Sequence, residues 1–168
     1  MFALFARRDP FCARILSMDA IDRKILAELQ RDGRLSITEL AERVQLSVSP
    51  CHRRLRELER SGVITGYHAT LSPQALGLGF ETLVFVTMKE ANRDSIIPFE
   101  EAVTRIPNIT LAHRLFGDPD YLLRVVAADL EHFQRLYDEQ LTALPGVQRV
   151  SSTLVIRKVV DDGALPLG

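Results

Sequence analysis

Four arginines and a histidine fall within SVSPCHRRLRELERSG, residues 47–62. A guanidinium can pair with guanine through two parallel hydrogen bonds, worth roughly 1–3 kcal/mol of discrimination against another base. Serine hydroxyls and the free amides at the start of a helix can hold a phosphate oxygen. Ser47, Ser49, Pro50, His52, Arg53, Arg54, Arg56 and Arg60 are therefore the candidate set for binding DNA. The plainer reading is a solvated helix face, with i, i+4 pairs such as Arg53–Glu57 adding only about 0.2–0.5 kcal/mol each. The elements around the segment decide between the two.

Asp19 precedes Ile21, Ile25, Leu26 and Leu29, apolar residues spaced along one face of a helix that Asp19 can cap. Gly33 is expected to end that helix in the left-handed conformation. Ser36-Ile37-Thr38-Glu39 has the form of a capping box and opens a second, short helix whose inner stripe is Ile37, Leu40, Ala41 and Val44. Gln45-Leu46 is the turn. Ser47 then caps a third helix with Val48, Cys51, Leu55 and Leu58 inward. Its other positions face out, with Arg54 and Arg60 at the margins, and Pro50 fits the first turn, where its missing N–H needs no partner. Gly62 ends the helix, and residues 63–70 read as a small hairpin around Gly66. Helix, helix, tight turn, helix and hairpin is the order of a winged helix-turn-helix, whose last helix enters the DNA major groove. That context favours DNA over the plain surface.

Residues 71–79 form a linker rich in turn residues. Beyond it the pattern predicts a strand over 80–88, a helix over 95–105, a strand over 109–116 and a turn at Gly117-Asp118-Pro119-Asp120. A strand over 121–128 follows, then a helix capped by Asp129 and running to 144, and a strand over 147–159. This β-α-β-β-α-β order is the ferredoxin-like unit. The fold class is α+β: a winged helix-turn-helix (19–70) followed by a ferredoxin-like domain (80–160), with a tail from 161. Helices cover one face of the sheet, and the open face suits a second copy of the chain.

Other chemistries find little support. Cys51 and His52 diverge by about 100° on the third helix and have no ligand-spaced partner, so no metal site is expected. Asp118 and Asp120 with His113 and His132 lack any accompanying nucleophile–base motif, phosphate loop or metal set, so no enzyme and no cofactor are expected. No apolar run approaches the ~20 residues of a membrane span. Two cysteines suit a reducing compartment, hence the cytoplasm. The net charge of −1 divides into +2 over residues 1–17, +1 over 18–70 and −4 over 71–168. DNA binding must therefore rest on where the arginines point rather than on bulk charge. The first seventeen residues read as an extension upstream of Met18, the natural start, or else as a short helix docking elsewhere.

Three segments, IDRKILAELQRDGR (21–34), SITELAERVQLSVSPCHRRLRELERSGVITGY (36–67) and GDPDYLLRV (117–125), together resemble the Lrp/AsnC, or feast/famine, family of regulators. The resemblance runs from about Asp19 to Val160. It implies a transcriptional regulator that binds double-stranded DNA through 47–60 and forms a homo-oligomer, a dimer and often an octamer, through the C-terminal domain. It also implies a small-molecule effector, usually an amino acid, near the G-D-x-D-Y turn. Carried over, Gly117, Asp118, Asp120 and Tyr121 are effector-site candidates, with Ser151 and Thr153 on the last strand beside them. A β-turn needs Gly, Asp and Pro for conformational reasons alone. A DNA-organising protein without an effector shares every N-terminal feature.

Overall fold

The computed structural model describes residues 18–167; the N-terminal extension lies outside them. The chain forms two compact units, one running to Thr70 and resuming at Val160, the other spanning Leu71–Val159. The linker thus belongs to the second unit and the tail to the first.

Helix α1 (Ala20–Arg31) opens on Asp19, whose carboxylate accepts from the amides of Ile21 and Asp22 while Asp22 answers to the Asp19 amide. Gly33 does not take the left-handed role expected of it. Asp32 ends α1 in an extended conformation, and its carboxylate accepts from the Arg34 amide at 2.9 Å, an Asx turn that makes a left-handed glycine unnecessary. Helix α2 (Ile37–Val44) carries the expected Ser36/Glu39 box. It stops at Gln45, whose φ of 58° is left-handed although the residue is not glycine. Helix α3 (Val48–Arg60) follows after two residues. Ile25, Leu26, Leu40, Ala41, Val44, Cys51 and Leu58 are buried between the three helices, with Leu55 partly so. Val48 departs from expectation and is 44 % exposed, so the apolar stripe of α3 begins at Cys51.

No hairpin forms over 63–70. The amides of Val63 and Ile64 both donate to the Leu58 carbonyl at 3.1 Å, folding the chain back over the end of α3. Donors spent on the helix end are lost to a ladder across Gly66.

The second unit runs β1 (Phe80–Met88), α4 (Arg93–Thr104), β2 (Ile109–Arg114), β3 (Tyr121–Ala127), α5 (Leu130–Leu136), a π-helical turn (Tyr137–Leu141) and β4 (Val147–Leu154). The sheet is antiparallel in the order β2-β3-β1-β4. Asn92 and Asp129 cap α4 and α5. Strand β4 stops at Leu154 rather than 159: Leu154 pairs with Thr82, and past it the Val155 amide still reaches β1, at the Glu81 carbonyl. Val84, Val86 and Met88 of β1 and Leu123 and Val125 of β3 pack with Phe99, Phe133 and Leu141 on the helical side. Alternation turns Leu83, Phe85 and Thr87 to the open face.

Gly146 joins the π-helical turn to β4 with φ +72°, where an added Cβ would lie 2.9 Å from Met88 Cε. Gly146→Ala is expected to lower the stability of this unit by about 1–3 kcal/mol through strain and crowding. Urea unfolding followed by a probe in the C-terminal unit measures the loss.

Candidate nucleic-acid interface and ligand site

The outer face of α3 is set by how its inner face is held. Arg54 Nη1 donates to Asp19 Oδ2 at 2.7 Å and to Asp22 Oδ1 at 2.8 Å, tying the middle of α3 to the first turn of α1. These hydrogen bonds, that to Asp22 foremost, raise the Arg54 pKa further above its usual range. The Asp22 amide, and behind it Arg54, holds the Asp19 carboxyl below its ordinary value. Arg54, expected at the DNA, is therefore committed to the fold. Arg60 bonds Glu57 through two nitrogens, an i, i+3 pair along the exposed side of α3.

What remains outward is Ser47, Ser49, His52, Arg53 and Arg56, all exposed, with Pro50 half-buried among them. Ser47 holds the N-cap position but its side chain makes no capping bond, contrary to expectation. Pro50 has no N–H to offer at the third helical position, which removes one of the amides such a cap would bond. The Ser47 hydroxyl is left toward the helix N-terminus, where an anion is favoured. Arg56 Nε lies 3.4 Å from His52 Nε2. This grouping can meet phosphates at its N-terminal end and base edges along one helix face.

In the second unit the G-D-x-D-Y turn separates its residues into two kinds. Asp120 continues the sheet: its amide donates to Val86, its carbonyl accepts from Leu115, and its carboxylate accepts from the Met88 amide at 2.7 Å. Tyr121 is 3 % exposed, its ring 4.5 Å from that of Phe99 and its hydroxyl donating to Glu100 Oε1 at 2.9 Å. Burial, helped by Glu100, pushes its pKa up to about 12. Asp120 and Tyr121, expected to touch an effector, make these side-chain bonds within the fold.

Gly117 and Asp118 are exposed. Gly117 has φ +136°, a conformation that favours glycine. Asp118 Oδ1 accepts from Thr87 Oγ1 at 3.2 Å and lies 3.9 Å from Arg149 Nη2. Thr87 and Arg149 face one another across β1 and β4, and Ser151 and Thr153 follow on the same, open face, paired with Phe85 and Leu83. Asp118 thus lies beside Thr87 and Arg149, which the motif alone did not indicate, and Ser151 is next along the same face of β4. Their signal is register: Arg149 sits two residues before Ser151 and shares its face. Among the described residues no cluster of His, Cys, Asp and Glu is arranged to hold a metal ion.

A three-helix bundle with an arginine-bearing outer helix, joined to a ferredoxin-like unit with an open sheet and a charged turn, defines a helix-turn-helix regulator with a ligand-binding domain. Residues 18–65 match the winged helix-turn-helix DNA-binding family and residues 81–165 the Lrp/AsnC ligand binding domain. The chain belongs to the Lrp/AsnC family of DNA-binding transcriptional regulators. It is 42 % identical to a leucine-responsive regulatory protein of Rhizobium meliloti over 146 residues, 87 % of this chain and 94 % of that one. A transcriptional regulator from Neisseria meningitidis, solved in complex with L-Met, superposes with a TM-score of 0.86 at 36 % identity, over 90 % of this chain and 97 % of that one. An AsnC family regulator from Agrobacterium tumefaciens superposes with a TM-score of 0.83 at 33 % identity, over 89 % and 97 % of the two chains. Among the described residues no helix is long and apolar enough to cross a membrane.

The two kinds of arginine are separable by experiment. Arg54→Ala is expected to lower the stability of the first unit by ~1 kcal/mol, since the pair is only partly shielded from solvent. Arg53→Ala should leave stability within about 0.5 kcal/mol and weaken specific DNA binding by ~1–3 kcal/mol. Because the Asp19 pKa is depressed by folding, its contribution is present above about pH 4 and lost as pH falls through the folded value. Melting curves from about pH 6 to about pH 3, with operator titrations at neutral pH, test both statements.

Proposed function

We propose that the outer face of α3 reads DNA through Arg53, Arg56 and His52, with Ser47 and Ser49 on the phosphate backbone, and that an α-amino acid binds at Asp118. The observation that carries the second part is the exposed Asp118 carboxylate beside Thr87 and Arg149. Asp118 accepts from the α-ammonium, Arg149 turns to the α-carboxylate, and Gly117 admits a close approach to the backbone. Ser151 and Thr153 line the strand beyond. The L-Met bound to the Neisseria relative supports an amino acid as the ligand class. The open sheet face, with Leu83, Phe85 and Leu122 half-covered, suits assembly of the chain with itself, to a dimer and beyond. A DNA-binding regulator of this family, without a membrane helix among its described residues, is proposed to work in the cytoplasm.

Calorimetric titration of the full chain with L-methionine and L-leucine tests the site. Asp118→Asn is expected to weaken binding at least about tenfold, or ~1.4 kcal/mol, while operator affinity without ligand stays unchanged. Equal affinity in parent and variant rejects Asp118 as the ammonium partner. If the parent binds no amino acid at millimolar concentration, the DNA-organising alternative replaces the sensor.

A further inference from the structure

The tail from Val160 packs with the helical bundle, although its sequence carries no motif that foretells it. At residue 165 the contact is to backbone: the Gln30 side-chain oxygen accepts from the Leu165 amide at 2.6 Å, and its nitrogen donates to the Leu165 carbonyl at 3.3 Å. One side-chain amide thus satisfies both polar groups of one residue, as a neighbouring β-strand would. The Leu165 side chain is left 72 % exposed, so the grip does not depend on what residue 165 is. Leu167 supplies the apolar anchor and packs against the core cluster of the three helices. Between them Pro166 brings no N–H that would need a partner and restricts the segment before it is placed.

Met18, Leu26, Leu29 and Gln30 from α1 and its approach, the segment Gly62–Tyr67, and Leu165 and Leu167 of the tail together line an open groove of which about 510 Å³ is left unfilled beside the tail. The groove's lining thus includes the stretch that forms no strand ladder. It has few backbone bonds of its own to keep it in place, and its Val63 and Ile64 pack on the same helical core as Leu167 of the tail.

We propose that this groove is a docking surface for an extended segment with a free backbone position, a proline and an apolar anchor, and that residues 165–167 of the same chain occupy it as a strap. The strap gives the DNA-binding unit a second covalent attachment, at 159/160 in addition to 70/71, and braces residues 62–67 from outside. The inference does not rest on the effector site.

Two experiments on the full chain test it. Amide hydrogen exchange is measured for the parent, Leu167→Asp and Gln30→Ala. Exchange over 62–67 is expected to rise about tenfold in either variant, with the strands of the second unit unchanged. Unaltered exchange over 62–67 in both variants overturns the bracing role. The occupant is identified with Gln30→Cys and Leu165→Cys combined in a Cys12→Ser background and treated with a short bis-maleimide; Cys51 is buried and stays unreactive. A cross-link within one chain is expected. A cross-link between two chains places a second copy's tail in the groove and overturns the occupant named here, and so does the absence of any cross-link.

Discussion

The pair of hydrogen bonds from Arg54 to Asp19 and Asp22 is the constraint on which the DNA-binding unit turns. A helix carrying four arginines and a histidine has no strong electrostatic reason to choose one face over another. Its apolar stripe is short, with Cys51 and Leu58 fully buried and Leu55 partly. Committing one arginine to a pair of aspartates at the positive end of α1 adds a polar register mark to that stripe. The same aspartates that cap α1 thus orient α3, so capping and packing are one interaction rather than two. With Arg54 drawn back toward α1, Arg53, about 100° further round the helix, and Arg56, about 200° round, are left outward.

The second unit uses a comparable device. Asp120 closes on the Met88 amide and on Val86, so the G-D-x-D-Y turn is stitched to the end of the central strand. Tyr121 secures it from below through Phe99 and Glu100. Only Gly117 and Asp118 project from this anchored base. A turn whose two ends are fixed by backbone and buried bonds presents its remaining carboxylate with little freedom, which is what a small ligand requires of a partner.

Much of this was legible in the residues. The Asp19 cap, the Ser36/Glu39 capping box, the stripes of α1 and α2, and the β-α-β-β-α-β order are local patterns, and local patterns survive tertiary context when hydrophobic spacing agrees with them. What was not legible depended on contacts between distant residues. Arg54 and Arg53 are neighbours of identical type, and only the position of Asp19 and Asp22 in space separates a guanidinium tied to α1 from one turned to the surface. The hairpin expected at 63–70 failed because Leu58 captured two amides that a propensity argument assigns to a ladder. Tyr121 belonged to a motif and so drew attention as a ligand contact, yet alternation along β3 put it in the core. Thr87 and Arg149 were missed because they meet Asp118 only through the pairing of two strands distant in sequence.

The elbow between α2 and α3 contains no glycine. Gln45 takes the left-handed conformation there, with its amide reaching back to Ala41 and Glu42. A side chain at such a position narrows the backbone region available to the unfolded chain as well as the folded one, so the corner is stiffer than a glycine corner. The two helices approach a duplex as one rigid bracket of fixed opening. Mutual adjustment on binding must then come from elsewhere: from the segment over 63–70, which has no ladder, or from the duplex itself. A stiff corner of this kind favours a duplex that bends to meet it, so the compliance of the double helix is expected to matter along with its letters.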